Sequence, residues 1–153
     1  MSVKDDLQTA LTAAMKARDE VSLTALRQAL AAIATAETAG KEAVSLTDDA
    51  ALGVVAAEVR KYHETADAFA GAGRTESAER ERAYAAVLEA YLPASLSTDE
   101  LQALIDAEVA AAAADGASGM KAMGRVVAAV RGRAGPGADG ATIASMVKVT
   151  LGA

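Results

Sequence analysis

The spacing of apolar residues constrains the fold of this 153-residue chain more than any other feature. Apolar side chains recur at steps of three, four or seven residues, which is the spacing of one face of an α-helix. Leu52, Val55 and Val59 form one such stripe, and Val127 and Val130 belong to another. Aromatic residues are only 3% of the chain and alanine is abundant, which favours helices that pack closely through small side chains. The sequence predicts an all-α protein.

One proline marks the strongest boundary in the chain. Pro93 cannot continue a helix, and it biases the residue before it towards extended angles. Ser97 and Glu100 then show the pattern of a capping box, which starts a new helix. Four helical segments precede this point and three follow it. We predict an N-terminal helical bundle over residues 1–93 and a small three-helix C-terminal domain over residues 94–153.

Local signals predict the limits of several helices. The first helix is expected at about residues 3–17, with Met15 on its apolar face. The second is expected to end near Gly40, where a left-handed cap is easy to form. The first helix of the segment after residue 116 is expected to start at Ser118, with Met120 on its apolar face.

The composition excludes several kinds of site. The chain has no cysteine and one histidine, so we expect neither disulfides nor a thiolate or structural zinc site. No apolar run is long enough to cross a bilayer, and the charged start at Lys4 does not resemble a signal peptide. We therefore expect no metal, no cofactor and no membrane association, and we expect a cytoplasmic protein.

The charges are distributed unevenly along the chain, whose net charge is −6. Residues 94–115 contain five acidic residues and no basic one. An acidic protein repels nucleic acid at long range, but a local basic surface still binds phosphate at short range. Residues 116–153 contain one acid and five basic residues, which we take as candidate nucleic-acid contacts: Lys121, Arg125, Arg131, Arg133 and Lys148.

A glycine-rich segment lies among these basic residues. We predict that residues 131–137 form a loop between two helices, in which arginines offer forked donors to phosphate. Gly135, Gly137 and Gly140 also spell the G-x-G-x-x-G motif of dinucleotide-binding proteins. That motif acts between a strand and a helix, and the segment before it here has the helical period. We therefore interpret the glycines as a turn.

The sequence contains no constellation typical of a catalytic site. It lacks the G-x-S-x-G elbow, the phosphate-binding loop that ends in Gly-Lys-Ser/Thr, and the H-E-x-x-H metal motif. His63 has no accompanying nucleophile, so we interpret it as structural. We predict no catalytic residues.

Three segments give the chain a resemblance to a known family. They are LRQALAAI at residues 26–33, AGRTESAERERAYAAVLEAYLPASLS at residues 72–97, and MGRV at residues 123–126 with ADG at residues 138–140. With these signatures in this order, the whole chain resembles the YqeY-like proteins. Their C-terminal domain is shared with the tail of the GatB subunit of tRNA-dependent amidotransferases. The resemblance implies a helical N-terminal domain and a three-helix C-terminal domain.

The resemblance also implies a function. It indicates a non-catalytic accessory protein of tRNA-dependent amidotransferase or aminoacyl-tRNA metabolism, with a protein partner there. Such a protein binds the tRNA backbone weakly through its C-terminal domain, at positions that correspond here to Lys121, Arg125 and Arg133. The family is associated with carbon–nitrogen ligase activity that takes nitrogen from glutamine, which leaves open an activity in company with other subunits. The alternative is a helical protein–protein interaction module with no nucleic-acid role.

Overall fold

The computed structural model describes residues 1–135 and 137–152. Within them the chain forms seven α-helices, one 3₁₀ turn and no strand, so the all-α prediction is confirmed. The chain divides into a first unit, Met1–Leu92, and a second unit, Pro93–Ala153. The helices are α1 (Val3–Ala17), α2 (Glu20–Glu37), α3 (Asp48–Gly71), α4 (Thr75–Glu89), α5 (Thr98–Ala114), α6 (Met123–Ala134) and α7 (Gly140–Thr150), with the 3₁₀ turn at Gly119–Ala122.

The core of the first unit combines aliphatic side chains with alanines. Leu7 of α1, Leu26 and Ile33 of α2, Val55 of α3 and Leu88 of α4 are completely or almost completely buried. Each such side chain stabilises the fold by roughly 1.5–3 kcal/mol relative to an exposed one. Between them lie alanines whose single methyl groups let the helices approach closely, and these include Ala25, Ala29, Ala66, Ala78 and Ala85. The contact between α3 and α4 is the most extensive in the unit.

Polar side chains fix the starts of three helices in the first unit. Ser2 and Asp5 form a capping box at the start of α1. Asp19 caps α2 and Thr47 caps α3, and each accepts a hydrogen bond from an amide of the first turn. Since a helix leaves its first amides unpaired, each such cap stabilises the helix by about 1 kcal/mol.

Glu37 ties the segment between α2 and α3 to its neighbours. Its backbone carbonyl accepts the N–H of Val44, and its carboxylate accepts the N–H of Leu46 at 3.3 Å. The same carboxylate accepts a hydrogen bond at 2.6 Å from the Lys4 ammonium of α1. The Lys4 contact, followed by the Leu46 amide, holds the pKa of Glu37 below its ordinary value.

Two expectations about the first unit need correction. The limits of α1 are confirmed, but Met15 is 55% exposed. It lies about 80° around the helix from the buried Leu7, at the edge of the apolar face. The second helix ends at Glu37 and not near Gly40. Thr38 is its C-cap residue, and the Thr38 hydroxyl donates to the carbonyls of Ala34 and Thr35.

The second unit packs three helices around its own core. α5 begins with the predicted capping box, which is confirmed: Ser97 Oγ accepts the amide of Glu100, and the Glu100 carboxylate accepts the amide of Ser97. The fully buried aliphatic side chains come from all three helices and are Ile105, Val126, Val130, Ile143 and Val147. The sequence places no aromatic residue after Tyr91.

The start of α6 also differs from the expectation. Ser118 makes no side-chain cap, and a 3₁₀ turn at Gly119–Ala122 precedes the α-helix. Gly119 has a left-handed φ of 58°, which an α-helix cannot include, so the regular helix is delayed. The tighter 3₁₀ turn rotates Met120 away from the apolar face, and that side chain is 54% exposed.

Candidate nucleic-acid interface

The five basic side chains named from the sequence lie on three elements of the second unit. Lys121 is in the 3₁₀ turn, Arg125, Arg131 and Arg133 are on α6, and Lys148 is in the last turn of α7. All five are exposed. Within the described residues, no ion pair holds Lys121, Arg131 or Lys148. Three cations are thus open to an incoming anion.

The basic residues near the glycines are helical, which corrects the predicted loop. Arg131 and Arg133 lie in the last turn of α6, and the helix ends only at Gly135, whose φ is 85°. Gly132 weakens a helix but does not break it, and arginines near the C-terminal end are favoured by the helix dipole. The structure therefore fixes both arginines on a rigid element. The predicted loop also included Pro136, which lies outside the described residues.

Arg131 and Arg133 point to opposite sides of α6. Residues two apart on an α-helix are separated by about 200° around the axis. Consistent with this, the Arg131 guanidinium lies against Gly140, the first residue of α7, where an added Cβ would come within 3.3 Å of its Cζ. Arg133 instead reaches α5. A shared loop would have suggested a single cluster, but the two arginines do not form one.

Two acidic residues of the α5 segment hold arginines of α6. Arg125 donates from Nη2 to Asp115 Oδ2 at 2.5 Å, and Arg133 donates from Nη1 to Glu108 Oε1 at 2.9 Å. The order of the partners shows that α5 and α6 run antiparallel. We missed these pairs in the sequence, where the acidic segment and the basic segment looked independent. The signal was the similar spacing of the two sets, with seven residues between the acids and eight between the arginines.

The N-terminus of α7 is already occupied. Asp139 caps it, and its carboxylate accepts the amides of Ala141 and Thr142 at 3.4 and 3.3 Å and the hydroxyl of Thr142 at 2.9 Å. A helix N-terminus with free amides attracts anions, but here a carboxylate holds that position. The side chains, and not this helix N-terminus, are therefore the candidate donors to an anion.

A groove lies between α2 and α3 in the first unit. It has a volume of about 420 Å³ and is lined mainly by alanines, with Glu58 and Gln28 among its walls. Glu58 is only 4% exposed, and it is the sole buried charged residue in the part of the chain that the structure describes. Its carboxylate accepts Gln28 Nε2 at 3.2 Å and the ammonium of Lys61 at 2.7 Å. We call this feature the alanine groove.

His63 has an acidic partner. Its Nε2 lies 2.5 Å from Glu89 Oε1, in a half-exposed pair between α3 and α4. The neighbouring Tyr62 packs against Tyr84 with ring centroids 5.4 Å apart. Burial, and then the negative charge of Glu58, raise the pKa of Tyr62 to about 12. These contacts describe a packed helix interface.

The described residues contain no metal-binding cluster and no membrane-spanning helix. Residues 1–135 and 137–152 bring together no group of three histidine, aspartate or glutamate side chains that could hold a metal ion. None of their helices combines the length and the apolarity that crossing a membrane requires.

Fold and surface define an all-α protein of two helical units, the second of which presents exposed basic side chains on and around a helix. The sequence profile described as "Yqey-like protein" matches residues 4–151. The chain therefore belongs to the YqeY-like family, and the resemblance found in the sequence is confirmed. No curated protein sequence matches the chain.

Proposed function

We propose that this protein binds the sugar–phosphate backbone of tRNA weakly through its second unit, as an accessory without an active site of its own. The observation that carries the proposal is that all five basic residues after Gly116 are exposed on helical elements. The resemblance to the tail of the GatB subunit supports tRNA as the nucleic acid. By the same resemblance, the accessory belongs to tRNA-dependent amidotransferase or aminoacyl-tRNA metabolism, has a protein partner there and is cytoplasmic.

The chemistry of the surface suits backbone and not bases. Arginine and lysine neutralise phosphate charge and carry no sequence information by themselves. Sequence-specific binding of single strands relies on aromatic side chains on which bases stack, and the chain has none after Tyr91. We therefore expect the second unit to bind folded tRNA at least as well as an unstructured RNA of the same length.

The binding should be weak and sensitive to salt. Two of the five cations are held by carboxylates, and the whole chain carries a charge of −6. Binding that depends only on phosphate has a dissociation constant of about 1 μM or weaker at physiological salt. The logarithm of the dissociation constant should rise linearly with the logarithm of the salt concentration, with a slope of roughly 0.7–0.9 for each phosphate neutralised.

A titration of fluorescently labelled total tRNA, followed by anisotropy at several salt concentrations, tests the proposal. The variant carries Lys121→Gln, Arg131→Gln and Lys148→Gln, which remove the three cations that have no ion-pair partner among the described residues. We expect its affinity to fall by about tenfold or more at low salt and its salt slope to decrease by roughly two.

The matched control removes three exposed cations from the first unit, through Lys16→Gln, Arg27→Gln and Arg80→Gln. It changes the net charge equally, so a loss of binding confined to the second-unit variant locates the contact there. Equal affinities for both variants and the unaltered protein would contradict the proposal. Far-UV circular dichroism of each variant confirms that the helices are intact.

The alanine groove favours a second candidate function, which is the binding of a helix from a partner protein. Small side chains at Ala31, Ala32 and Ala36 would let a helix approach closely, and the buried Glu58 carboxylate would receive one lysine or arginine from it. A photo-crosslinking residue at position 36 tests this, with position 86 on the exposed face of α4 as control. The candidate requires that the crosslinked peptide is helical and carries a basic residue. It also requires that the Glu58→Arg variant no longer forms the crosslink; any other result contradicts it.

A further inference from the structure

Two ion pairs connect α5 and its C-cap residue with α6, the helix proposed to bind RNA. Asp115 and Glu108 are seven residues apart on one side, and Arg125 and Arg133 are eight apart on the other. At 1.5 Å per residue, the two ion pairs are separated by roughly 10–12 Å along the helices. In each ion pair, an arginine that is a candidate phosphate contact is bonded to a carboxylate.

The carboxylates compete directly with a phosphate group. Arg125 and Arg133 are 48% and 56% exposed, so an anion reaches both guanidinium groups from solvent. One amino nitrogen of each is already bonded to an anionic oxygen, which is the acceptor that a phosphate also offers. A phosphate that binds there has to displace the carboxylate or accept its repulsion at close range.

The charge of the second unit makes this competition important. Residues 93–153 contain five Lys/Arg and six Asp/Glu, which gives a net charge of −1. Neutralising Glu108 and Asp115 would change that to +1 and release two arginines. Within the described residues, Asp99, Glu100 and Asp106 form no ion pair with an arginine.

We infer that Glu108 and Asp115 limit the affinity of the second unit for RNA, because each occupies an arginine that would otherwise contact phosphate. This inference rests on the proposed function and adds two residues that set its strength and specificity. A backbone that displaces both carboxylates gains two guanidinium contacts at a fixed separation, whereas an isolated phosphate gains at most one. The pairs therefore favour an extended, ordered phosphate backbone over a small anion.

An opposite role for the same residues would reverse the sign of the effect. If the carboxylates served mainly to orient the arginines for RNA, their neutralisation would weaken binding. Both arginines lie on a regular helix, and the carboxylates leave the remaining donors of each guanidinium unrestrained. Orientation by the helix is sufficient, so we expect competition to dominate.

The test compares two charge-matched double variants of the full chain in the same tRNA titration. One carries Glu108→Gln and Asp115→Asn, which keep the side-chain size and remove both competing charges. The control carries Asp99→Asn and Asp106→Asn, on the same helix but without an arginine partner. We expect the first variant to bind about threefold to tenfold more tightly than the unaltered protein. The control should gain less than about twofold.

The possible outcomes separate this inference from the proposed function. Equal gains in both variants would show a general charge effect and overturn the inference, as would unchanged or weaker binding of the first variant. In either case binding by the unaltered protein would leave the proposed function standing. If neither the unaltered protein nor either variant binds tRNA at low salt, the proposed function fails and the inference fails with it.

Discussion

Replacing Glu58 by methionine should leave the first unit as stable as before or more stable. Its carboxylate is 4% exposed and keeps only two polar contacts, one from Gln28 and one from Lys61. Taking a charge out of water costs several kcal/mol, and a partly exposed pair offsets little of that. Methionine fills a similar volume, and the exposed amide of Gln28 then bonds to water.

The magnitude follows from the exposure of the partner. The Lys61 side chain is 67% exposed, so Lys61→Ala should cost only about 1 kcal/mol, well below the 3–5 kcal/mol of a fully buried pair. Glu58→Met should range from neutral to about 1 kcal/mol stabilising. In a unit as long as Met1–Leu92, 1 kcal/mol shifts the melting temperature by about 4–8 °C.

Urea unfolding followed by tyrosine fluorescence measures these effects where they occur, because Tyr62, Tyr84 and Tyr91 all lie in the first unit. A double-mutant cycle provides the control: Lys61→Ala should cost close to nothing once Glu58 is methionine. A loss of about 2 kcal/mol or more in Glu58→Met would refute the reasoning. It would mean that the carboxylate itself holds α2 and α3 together.

Further expectations concern pH and local structure. The pKa of Glu37 is lowered, so its contribution to stability is present above the ordinary value of 4.5 and is lost as pH falls further. The urea concentration at the unfolding midpoint should therefore decrease when the pH is lowered below 4.5, and it should decrease less in Glu37→Gln. The pKa of Tyr62 is raised to about 12, so stability should decline as pH rises above 10. Tyr62→Phe should remove this decline, and the absorbance of tyrosinate measures the titration of Tyr62. Ser97→Ala should cost about 1 kcal/mol in thermal unfolding, and no loss would show that the capping box is redundant. Gly140→Ala should leave stability within about 1 kcal/mol, because the atoms nearest to the added Cβ belong to the flexible end of Arg131; a larger loss would show that this guanidinium is fixed.

Much of the fold was predictable because it depends on short-range features of the sequence. The spacing of Leu7, Leu26 and Val55 along their helices identifies apolar faces without any knowledge of the partner helix. The caps at Thr47 and Ser97 depend on a side chain and an amide three residues away. Local chemistry of this kind is written directly in the order of the residues.

The candidate interface was predictable only in part. The five basic residues are a count of charges, and exposure of all five is the usual outcome for such side chains. Their arrangement was not predictable, because the glycines around Gly132 suggested a loop where packing continues the helix to Ala134. That single difference sends Arg131 and Arg133 to opposite sides of α6.

The sequence alone determined that the chain is helical, where several of its helices start and which residues carry its basic charge, because these depend on residues within a few positions of one another. Only the tertiary structure decided that Glu108 and Asp115 hold two of the candidate arginines. It also decided that Glu58 is buried beside Gln28. Partners 10 to 30 residues apart are brought together by the packing of whole helices, and the small side chains of this protein let those helices approach closely enough for the contacts to form.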